Sequence, residues 1–225
     1  MPRLDDLCVV VPVGPGDVAW RRLLPQLEAL PETAEIIFSG VDGDPGAPAA
    51  QALPGLERCL CLAGPAGRAA QQNRGAAAGR NGWLWFLHAD SRLHPRALAR
   101  IATLPDRPAL AYFDLAFDDG PRGMPINRLG AFIRSRWLRM PFGDQGLLLP
   151  RRQFEALGGF DETVGPGEDH ALVWKARRAG LPLHPLGVPL YTSARRYAEH
   201  GWLRTTARHL RMTFEQARRF SGGGA

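Results

Sequence analysis

The chain is short of lysine, of cysteine and of long apolar runs, and each shortage excludes a class of protein. Only one of its 28 basic residues is a lysine, and the arginines are scattered, so no nucleic-acid partner is expected despite a net charge of +6. Three cysteines, Cys8, Cys59 and Cys61, are too few for a disulfide framework. No stretch approaches the roughly 18 apolar residues of a membrane span. The N-terminus lacks a secretory signal, and a cytoplasmic protein is expected.

Short apolar runs alternate with helical patterns along the chain. Strands are predicted at 7–13, 34–39, 56–62, 83–88, 109–117 and 145–149. One helical pattern follows Asp17, which is a plausible cap. A weaker pattern precedes Pro54, and a third spans 67–79. This alternation predicts an α/β fold whose first half has a Rossmann-like parallel sheet covered on both faces. A single domain over 1–220 with a flexible tail at 221–225 is expected.

The run WLWFLHAD, residues 83–90, ends abruptly on His88 and Asp90. Open α/β sheets present their chemistry at the carboxyl edge of their strands, so both side chains are candidate metal ligands. Carboxylate oxygen suits Mg²⁺ or Mn²⁺, and Mn²⁺ also accepts imidazole. The alternatives are a packed, hydrogen-bonded His88 and an Asp90 that caps a helix or forms a turn.

Two glycine-bearing turns precede helices and could hold phosphate. The helix after Gly67 carries Arg68, Gln72 and Asn73, which favours an anion site whose amides contact a base or sugar. The turn from Gly14 fits a dinucleotide fingerprint, which leaves a nicotinamide enzyme as a third function to test. Pro15 removes a backbone N–H from this turn and Asp17 adds a negative charge, and both disfavour phosphate binding. A simple glycine turn is therefore the preferred interpretation.

Acidic residues recur in two later segments. PFGDQG places Asp144 and Gln145 between glycines ahead of an apolar strand, and Glu168 and Asp169 begin a helical pattern that runs to Ala176. The helix dipole favours acids in a first turn, which is a sufficient structural reason for the pair. The same dipole would keep a carboxylate ionised and able to accept a proton from a hydroxyl.

Taken in order, these segments resemble family-2 glycosyltransferases of the GT-A fold. The likeness is closest to a small bacterial subgroup with GRA-x-Q-x-N-x-G, FLHAD-(S/T)-RL, GDQG, ED and TSARR motifs, here beginning at Gly67, Phe86, Gly143, Glu168 and Thr192. It covers about residues 7–215. Five ordered motifs are far more specific than any one of them.

The resemblance implies an inverting transfer of a sugar from a nucleotide diphosphate to a hydroxyl acceptor, with 1–93 as the nucleotide-binding half and 94–220 as the acceptor half. Asp90 and His88 would bind the divalent metal, and Asp169, paired with Glu168, would be the general base. Arg68, Gln72 and Asn73 would face the nucleotide, as would Ser39. Asp144 and Gln145 would line the sugar and acceptor side, and Arg195 and Arg196 would close over the diphosphate.

The chain departs from the family pattern in its first third. Val13-Gly14 stands where an Asn-Glu pair is usual, and Ser39 stands near the Asp of a usual Asp-Gly-Gly-Ser, with Asp42 displaced. Both elements help to grip the nucleoside. The alternative function is therefore a degenerate GT-A domain that acts as a non-catalytic binding or scaffold protein.

The helix predicted over 125–140 carries Ile126, Leu129, Ile133, Trp137 and Met140 at helical spacing, with arginines around it. A core face is the preferred interpretation. A stripe edged by arginines could instead touch lipid, so peripheral contact with the inner membrane face is the alternative. A second arginine group follows Thr192 and suggests either an anionic partner or a solvated helix face.

Overall fold

The computed structural model describes residues 4–49, 58–105 and 107–221. Eight strands are present: β1 (Leu7–Pro12), β2 (Glu35–Ser39), β3 (Cys59–Leu62), β4 (Trp83–Phe86), β5 (Arg92–Leu93), β6 (Leu110–Phe117), β7 (Leu148–Pro150) and β8 (Leu183–Thr192). The helices are α1 (Trp20–Leu27), α2 (Arg68–Ala78), α3 (Ala97–Ala102), α4 (Met124–Arg136), α5 (Arg151–Ala156), α6 (Glu168–Arg178), α7 (Arg195–His200) and α8 (Trp202–Ser221).

All eight strands belong to one mixed sheet, in the order β3-β2-β1-β4-β7-β6-β8-β5. The β3-β2-β1-β4 part is parallel, as the alternating pattern predicts. β7 pairs antiparallel with both β4 and β6, and so joins the parallel part to the remaining strands. The carboxyl ends of β1, β2 and β4 therefore lie side by side at one edge.

The sheet is buried on both faces, which explains why its strands read as continuous apolar runs. Alternate residues of β1 point to opposite sides: Val9 and Val11 pack into one core cluster with Trp20 of α1, and Val10 packs into a second with Phe86. Every residue of β1 is buried. Gly75 of α2 lets this helix approach, since a Cβ there would lie 2.4 Å from Val10 Cγ1.

The predicted strands are found, with ends shifted by a few residues. The first part of the 56–62 prediction and the region next to Pro54 lie outside the described residues, and residues 40–49 form turns rather than a helix. β8 was not predicted because Pro185, Gly187 and Pro189 interrupt its apolar pattern. Asp17 does not cap α1 as predicted; its carboxylate accepts from the Ala19 amide (2.9 Å) and closes the turn before the helix.

The apolar stripe predicted as a core face of the 125–140 helix is largely exposed. α4 ends at Arg136, and Ile126, Leu129 and Trp137 are 62%, 58% and 74% exposed. The face that packs instead carries small and polar residues such as Ala131 and Ser135. The core interpretation is therefore wrong for most of the stripe. Nowhere in the described part of the chain is a helix long and apolar enough to cross a membrane.

Candidate active site

The site lies at the carboxyl edge of β1, β2 and β4, where the chain leaves the sheet. His88 and Asp90 follow β4, and Ser39 ends β2. The one-turn 3-10 helix Gly143–Gln145 and the first turn of α6 approach the same edge from the later half of the sequence. Tertiary folding thus brings several of the predicted site residues into one region.

Asp169 and His88 meet at Gly143. The Gly143 amide donates to Asp169 Oδ2 at 2.6 Å. A Cβ on Gly143 would lie 3.0 Å from Asp169 Oδ2 and 3.2 Å from His88 Nε2, so both side chains crowd against this glycine. A side chain at this position would require Asp169 or His88 to shift by a few tenths of an ångström.

The carboxylate of Asp169 is buried but ionised. Its Oδ1 accepts from the His170 amide (2.9 Å) while its Oδ2 accepts from Gly143. Burial alone would raise the pKa of Asp169, but the nearby Arg68 guanidinium and these amides hold that pKa below its usual range. A buried carboxylate that stays charged is a competent proton acceptor.

Glu168 anchors Arg68. One of its oxygens accepts from Arg68 Nε and the other from the Gly167 amide (3.0 Å), and the side chain is 2% exposed. Burial would lower the pKa of Arg68, but Asp169 and then Glu168 raise it, so the guanidinium remains charged. The two acids at the start of α6 therefore fix one cation at the site.

Asp144 has the opposite electrostatic environment to Asp169. Burial raises the pKa of Asp144, although Arg134 and His88 counteract the shift. Its Oδ1 is buried and has no hydrogen-bond partner within the described residues. The pKa values of the two carboxyl groups are therefore shifted in opposite directions.

Gln145 points into the protein. Its amide nitrogen donates to the Phe113 carbonyl (2.8 Å), and its oxygen accepts from Arg134 Nη2 (3.1 Å) and from the Phe142 amide (3.2 Å). Arg134 was missed by the sequence analysis. Its guanidinium lies 3.3 Å from the Phe142 ring centroid and faces Asp144. The sequence contains no signal that separates Arg134 from the other arginines of α4.

The residues of α2 that were predicted to face the nucleotide differ in what they contact. Gln72 is buried, and its Oε1 has no partner in the described part of the chain; the same holds for Ser39 Oγ. Asn73 instead donates to the Phe160 carbonyl (2.9 Å) and to Glu162 (2.8 Å), so it secures a loop. Gln71, which was not predicted as a site residue, ties the ends of β1 and β2 together through Val13 and Ser39 carbonyls at 2.7 and 2.6 Å.

The glycine turn after β1 is closed from within the protein. The Gly16 amide donates to both carboxylate oxygens of Asp44 at 3.1 Å. An acid therefore occupies the position that phosphate would take in a dinucleotide fingerprint, which argues against the nicotinamide hypothesis.

Arg195 and Arg196 point to different places. Arg195 Nη2 lies 3.6 Å from Asp17 Oδ2, beside the turn after β1. Arg196 lines a separate cavity with His200 and Arg208. The structure does not bring the two guanidinium groups to a single point.

The two predicted metal ligands, Asp90 and His88, directly follow β4. Asp90 Oδ2 accepts from Thr192 Oγ1 at 3.2 Å, and His88 Nε2 is buried without a hydrogen-bond partner in the described residues. Burial and Arg68 lower the pKa of His88, which keeps the ring neutral, as a metal ligand must be. No group of three or more His, Cys, Asp or Glu side chains in the described ranges could hold a metal. The residues fit an ion that shares its ligands with substrate phosphates.

Neither a family model nor a curated protein matches the chain. Among solved structures, a mannosyltransferase from Pyrobaculum calidifontis in complex with GDP-Man and Mn²⁺ is similar with a TM-score of 0.69 and 20% identity, over 98% of this chain and 65% of that one. S. aureus TarS 1-349 gives a TM-score of 0.62 at 16% identity, over 83% of this chain and 60% of that one. Its complex with UDP-GlcNAc gives 0.59 at 16% identity, over 83% and 58%.

The chain spans less than two thirds of the length of these structures. At such low identities the likeness concerns the fold. It confirms the expected mixed α/β architecture: the chain has the GT-A-type fold of these glycosyltransferases.

Proposed function

We propose that the chain is an inverting glycosyltransferase of family 2, which moves a sugar from a nucleotide diphosphate to a hydroxyl acceptor with the help of Mn²⁺ or Mg²⁺. The observation that carries this proposal is the buried, ionised Asp169 held against His88 at the sheet edge. The nucleotide sugars named for the similar structures support the donor class.

In the proposed reaction, Asp169 accepts the proton of the acceptor hydroxyl. The oxygen attacks the anomeric carbon of the sugar while the bond from that carbon to the diphosphate oxygen breaks, and the diphosphate leaves with the electron pair. One-step displacement inverts the anomeric centre. Asp144, whose Oδ1 is buried and has no hydrogen-bond partner among the described residues, would contact the sugar or the acceptor.

Asp90 and His88 would hold the divalent ion. A bound ion would neutralise the charge that develops on the leaving diphosphate, a contribution of several kcal/mol. Arg68, which Glu168 fixes in place, adds a second positive charge on this side. The lowered pKa of His88 keeps its ring nitrogen free of a competing proton at neutral pH.

The remaining donor contacts are assigned by position. Gln72 and Ser39 would face the nucleoside with buried oxygens that have no hydrogen-bond partner among the described residues. Arg195, and Arg196 after a change of side-chain conformation, would approach the diphosphate. Asn73 and Gln145 act indirectly: the first secures the loop at 160–162, and the second orients the segment that carries Asp144.

Release of nucleotide from UDP-, GDP- and dTDP-sugars with Mn²⁺ tests the proposal. Asp169→Asn should lower turnover by about 10²- to 10⁴-fold and leave donor affinity within a few-fold, because the base touches only the acceptor. Asp90→Ala should remove the metal-dependent part of donor binding in titration calorimetry. Glu199→Gln, at an acid that is 62% exposed, is the matched control and should change neither. An equal loss of donor binding in the Asp169 and Asp90 variants contradicts the assigned roles.

A second candidate is a degenerate GT-A domain that binds a glycan, a lipid or a protein without catalysis. The observation that favours it is Ser39, which stands near the usual Asp of the family but is fully buried. This candidate predicts binding without nucleotide release from every donor. Release from any one of them eliminates it.

We also propose that the protein acts in the cytoplasm and touches the inner membrane face peripherally. Cys8 and Cys61 are free thiols, which suits a reducing compartment. The exposed apolar residues of α4 support the membrane contact.

A further inference from the structure

Exposed apolar side chains are concentrated on α4 and α8. Eight of the ten large apolar residues that are exposed in the described part of the chain belong to these helices or directly follow α4: Ile126, Leu129, Phe132, Trp137, Leu138, Leu203, Leu210 and Phe214. Scattered apolar residues need no explanation, but a concentration on two helices marks an interaction surface.

The two helices form one continuous surface. A groove of about 330 Å³ is lined by Leu138 and Met140 at the end of α4, by Trp174 of α6 and by Phe214 of α8. At the other end, Asn127 of α4 donates to Thr206 of α8 at 3.0 Å. We call this surface, with the eight exposed residues above, the α4–α8 face.

α8 has the pattern of an amphipathic helix that lies on a lipid surface. Leu203, Leu210 and Phe214 recur at spacings of seven and four, which places them on one stripe. Arg204 and Arg208 both lie on one side of that stripe, and Arg208 lies farther round the helix, next to Thr205, which is buried on the protein-facing side. Arginine beside a stripe of leucine and phenylalanine is typical of interfacial helices.

A basic cavity opens between α7 and α8, on the side of the stripe that carries Arg204 and Arg208. It has a volume of about 180 Å³ and is lined by Arg196 and His200 of α7 and by Arg204, Thr205 and Arg208 of α8. Each helix contributes two basic side chains one turn apart. Among the described residues, Arg196, Arg204 and Arg208 form no ion pair with a carboxylate, and the nearest acid is Glu199, whose Oε2 lies 4.0 Å from His200 Nδ1.

Charge decides between the candidate occupants of the α4–α8 face. A second copy of the chain would place two arginine-rich faces together, which like-charge repulsion opposes. Nucleic acid would match the arginines but not the apolar stripe. Only an anionic bilayer offers hydrocarbon for the stripe and phosphate for the cavity.

We propose that the α4–α8 face docks on an anionic phospholipid bilayer, with the apolar stripe in the headgroup region and a lipid phosphate in the Arg196–Arg208 cavity. This deepens the proposed membrane contact by naming its surface and its lipid class. It does not require sugar transfer, since vesicle binding is measured without donor.

Vesicle flotation tests the proposal with the full chain. Wild type should bind vesicles of phosphatidylcholine mixed with phosphatidylglycerol, bind phosphatidylcholine alone much more weakly, and lose affinity as salt is raised. Arg204→Gln and Arg208→Gln should each weaken binding about fivefold. Phe214→Gln should weaken it about tenfold or more, because a buried aromatic ring is lost from the interface.

Arg80→Gln and Leu60→Gln are matched controls. Both residues are exposed, but Arg80 follows α2 and Leu60 lies on β3, so neither belongs to the α4–α8 face. They should bind like wild type, and circular dichroism should show equal helix content in all variants. Equal binding to both vesicle types, or no binding, overturns the proposal. Full competition by free glycerol phosphate also overturns it, because the cavity would then be a site for soluble phosphate. A dimer that Phe214→Gln dissociates overturns it as well, because the face would then be a contact between copies of the chain.

Discussion

At the scale of single residues, the site depends on one small residue that lets two functional side chains meet. Gly143 lies where the Asp169 carboxylate and the His88 ring converge, and any Cβ there must displace one of them. The backbone of Gly143 also donates the hydrogen bond that helps to keep Asp169 ionised. Gly143 therefore helps, together with Arg68, to keep the proposed base in position and ionised.

Gly143→Ala should impair catalysis more than folding. The displacement of Asp169 or His88 by a few tenths of an ångström is expected to lower kcat about tenfold or more and to cost about 1–3 kcal/mol of stability. Steady-state kinetics and chemical denaturation measure the two effects. Gly130→Ala on α4 is the control, because a Cβ there meets nothing within 4 Å and alanine favours a helix. Similar kinetics for both variants would contradict the crowded geometry.

His170 should make stability depend on pH. Burial lowers the pKa of His170 to about 4, and its ring packs edge-on at 3.8 Å from that of Phe142. In the unfolded chain the pKa returns to about 6.5, so between these values only the unfolded state binds the proton. Stability is complete above pH 6.5 and should fall by up to about 3 kcal/mol as the pH falls towards 4.

His170→Phe isolates this contribution, because it keeps a ring at the position and removes the titration. The free energy of unfolding, measured by denaturation at several pH values, should decrease less steeply with falling pH for the variant than for wild type. The Asp169 carboxylate, whose pKa is lowered, makes both proteins less stable over a still more acidic range. Parallel curves would mean that the His170 ring protonates freely in the folded protein.

At the scale of elements, α8 is joined to α4 mainly through polar contacts near their N-terminal ends. Trp202 Nε1 donates to Asn127 Oδ1 at 2.6 Å, and the Trp202 ring covers Gly123, where a Cβ would lie 2.3 Å from the ring. Asn127 also reaches Thr206. These contacts explain how α8 remains docked while its outer stripe stays exposed.

Asn127→Ala should loosen α8 without unfolding the sheet. Loss of the hydrogen bonds to Trp202 and Thr206 is expected to cost about 1–3 kcal/mol, and amide hydrogen exchange should rise along α8 but not in β1 or β4. Arg128→Ala, at the exposed neighbouring position, is the control. Unchanged exchange in α8 would show that other contacts hold the helix.

At the scale of the whole molecule, the two predicted halves share one sheet. β4 belongs to the first half, and its free edge is covered by β7 from the second half, with Leu84 opposite Leu149 and Trp85 opposite Leu148. Removing the second half would leave the edge of β4 and both of its faces open. The division at residue 93 therefore does not separate two folding units.

A single cooperative transition is expected for the whole chain. Tryptophan fluorescence and far-ultraviolet circular dichroism should give coincident urea curves, and a fragment of residues 1–93 should not fold alone. Non-coincident curves, or a folded fragment, would indicate that the halves are independent domains.

The sequence by itself determined the parallel half of the sheet and the order of the site motifs. Continuous apolar runs such as 34–39 and 83–88, bounded by turn signals, favour buried strands covered on both faces, and their ends place Ser39, His88 and Asp90 at one edge. A helix start carrying Glu168 and Asp169 follows from local charge and dipole. These features depend on neighbours in the chain, so a linear pattern contains them.

Only the tertiary structure decided how those motifs combine. Packing turned Asn73 and Gln145 towards protein partners, brought Arg134 from α4 under the site, and sent Arg195 and Arg196 to different places. Packing also exposed the stripe of α4 that periodicity alone assigns to a core. An amphipathic pattern shows that a face is apolar, but whether protein or another surface covers that face depends on elements distant in the chain.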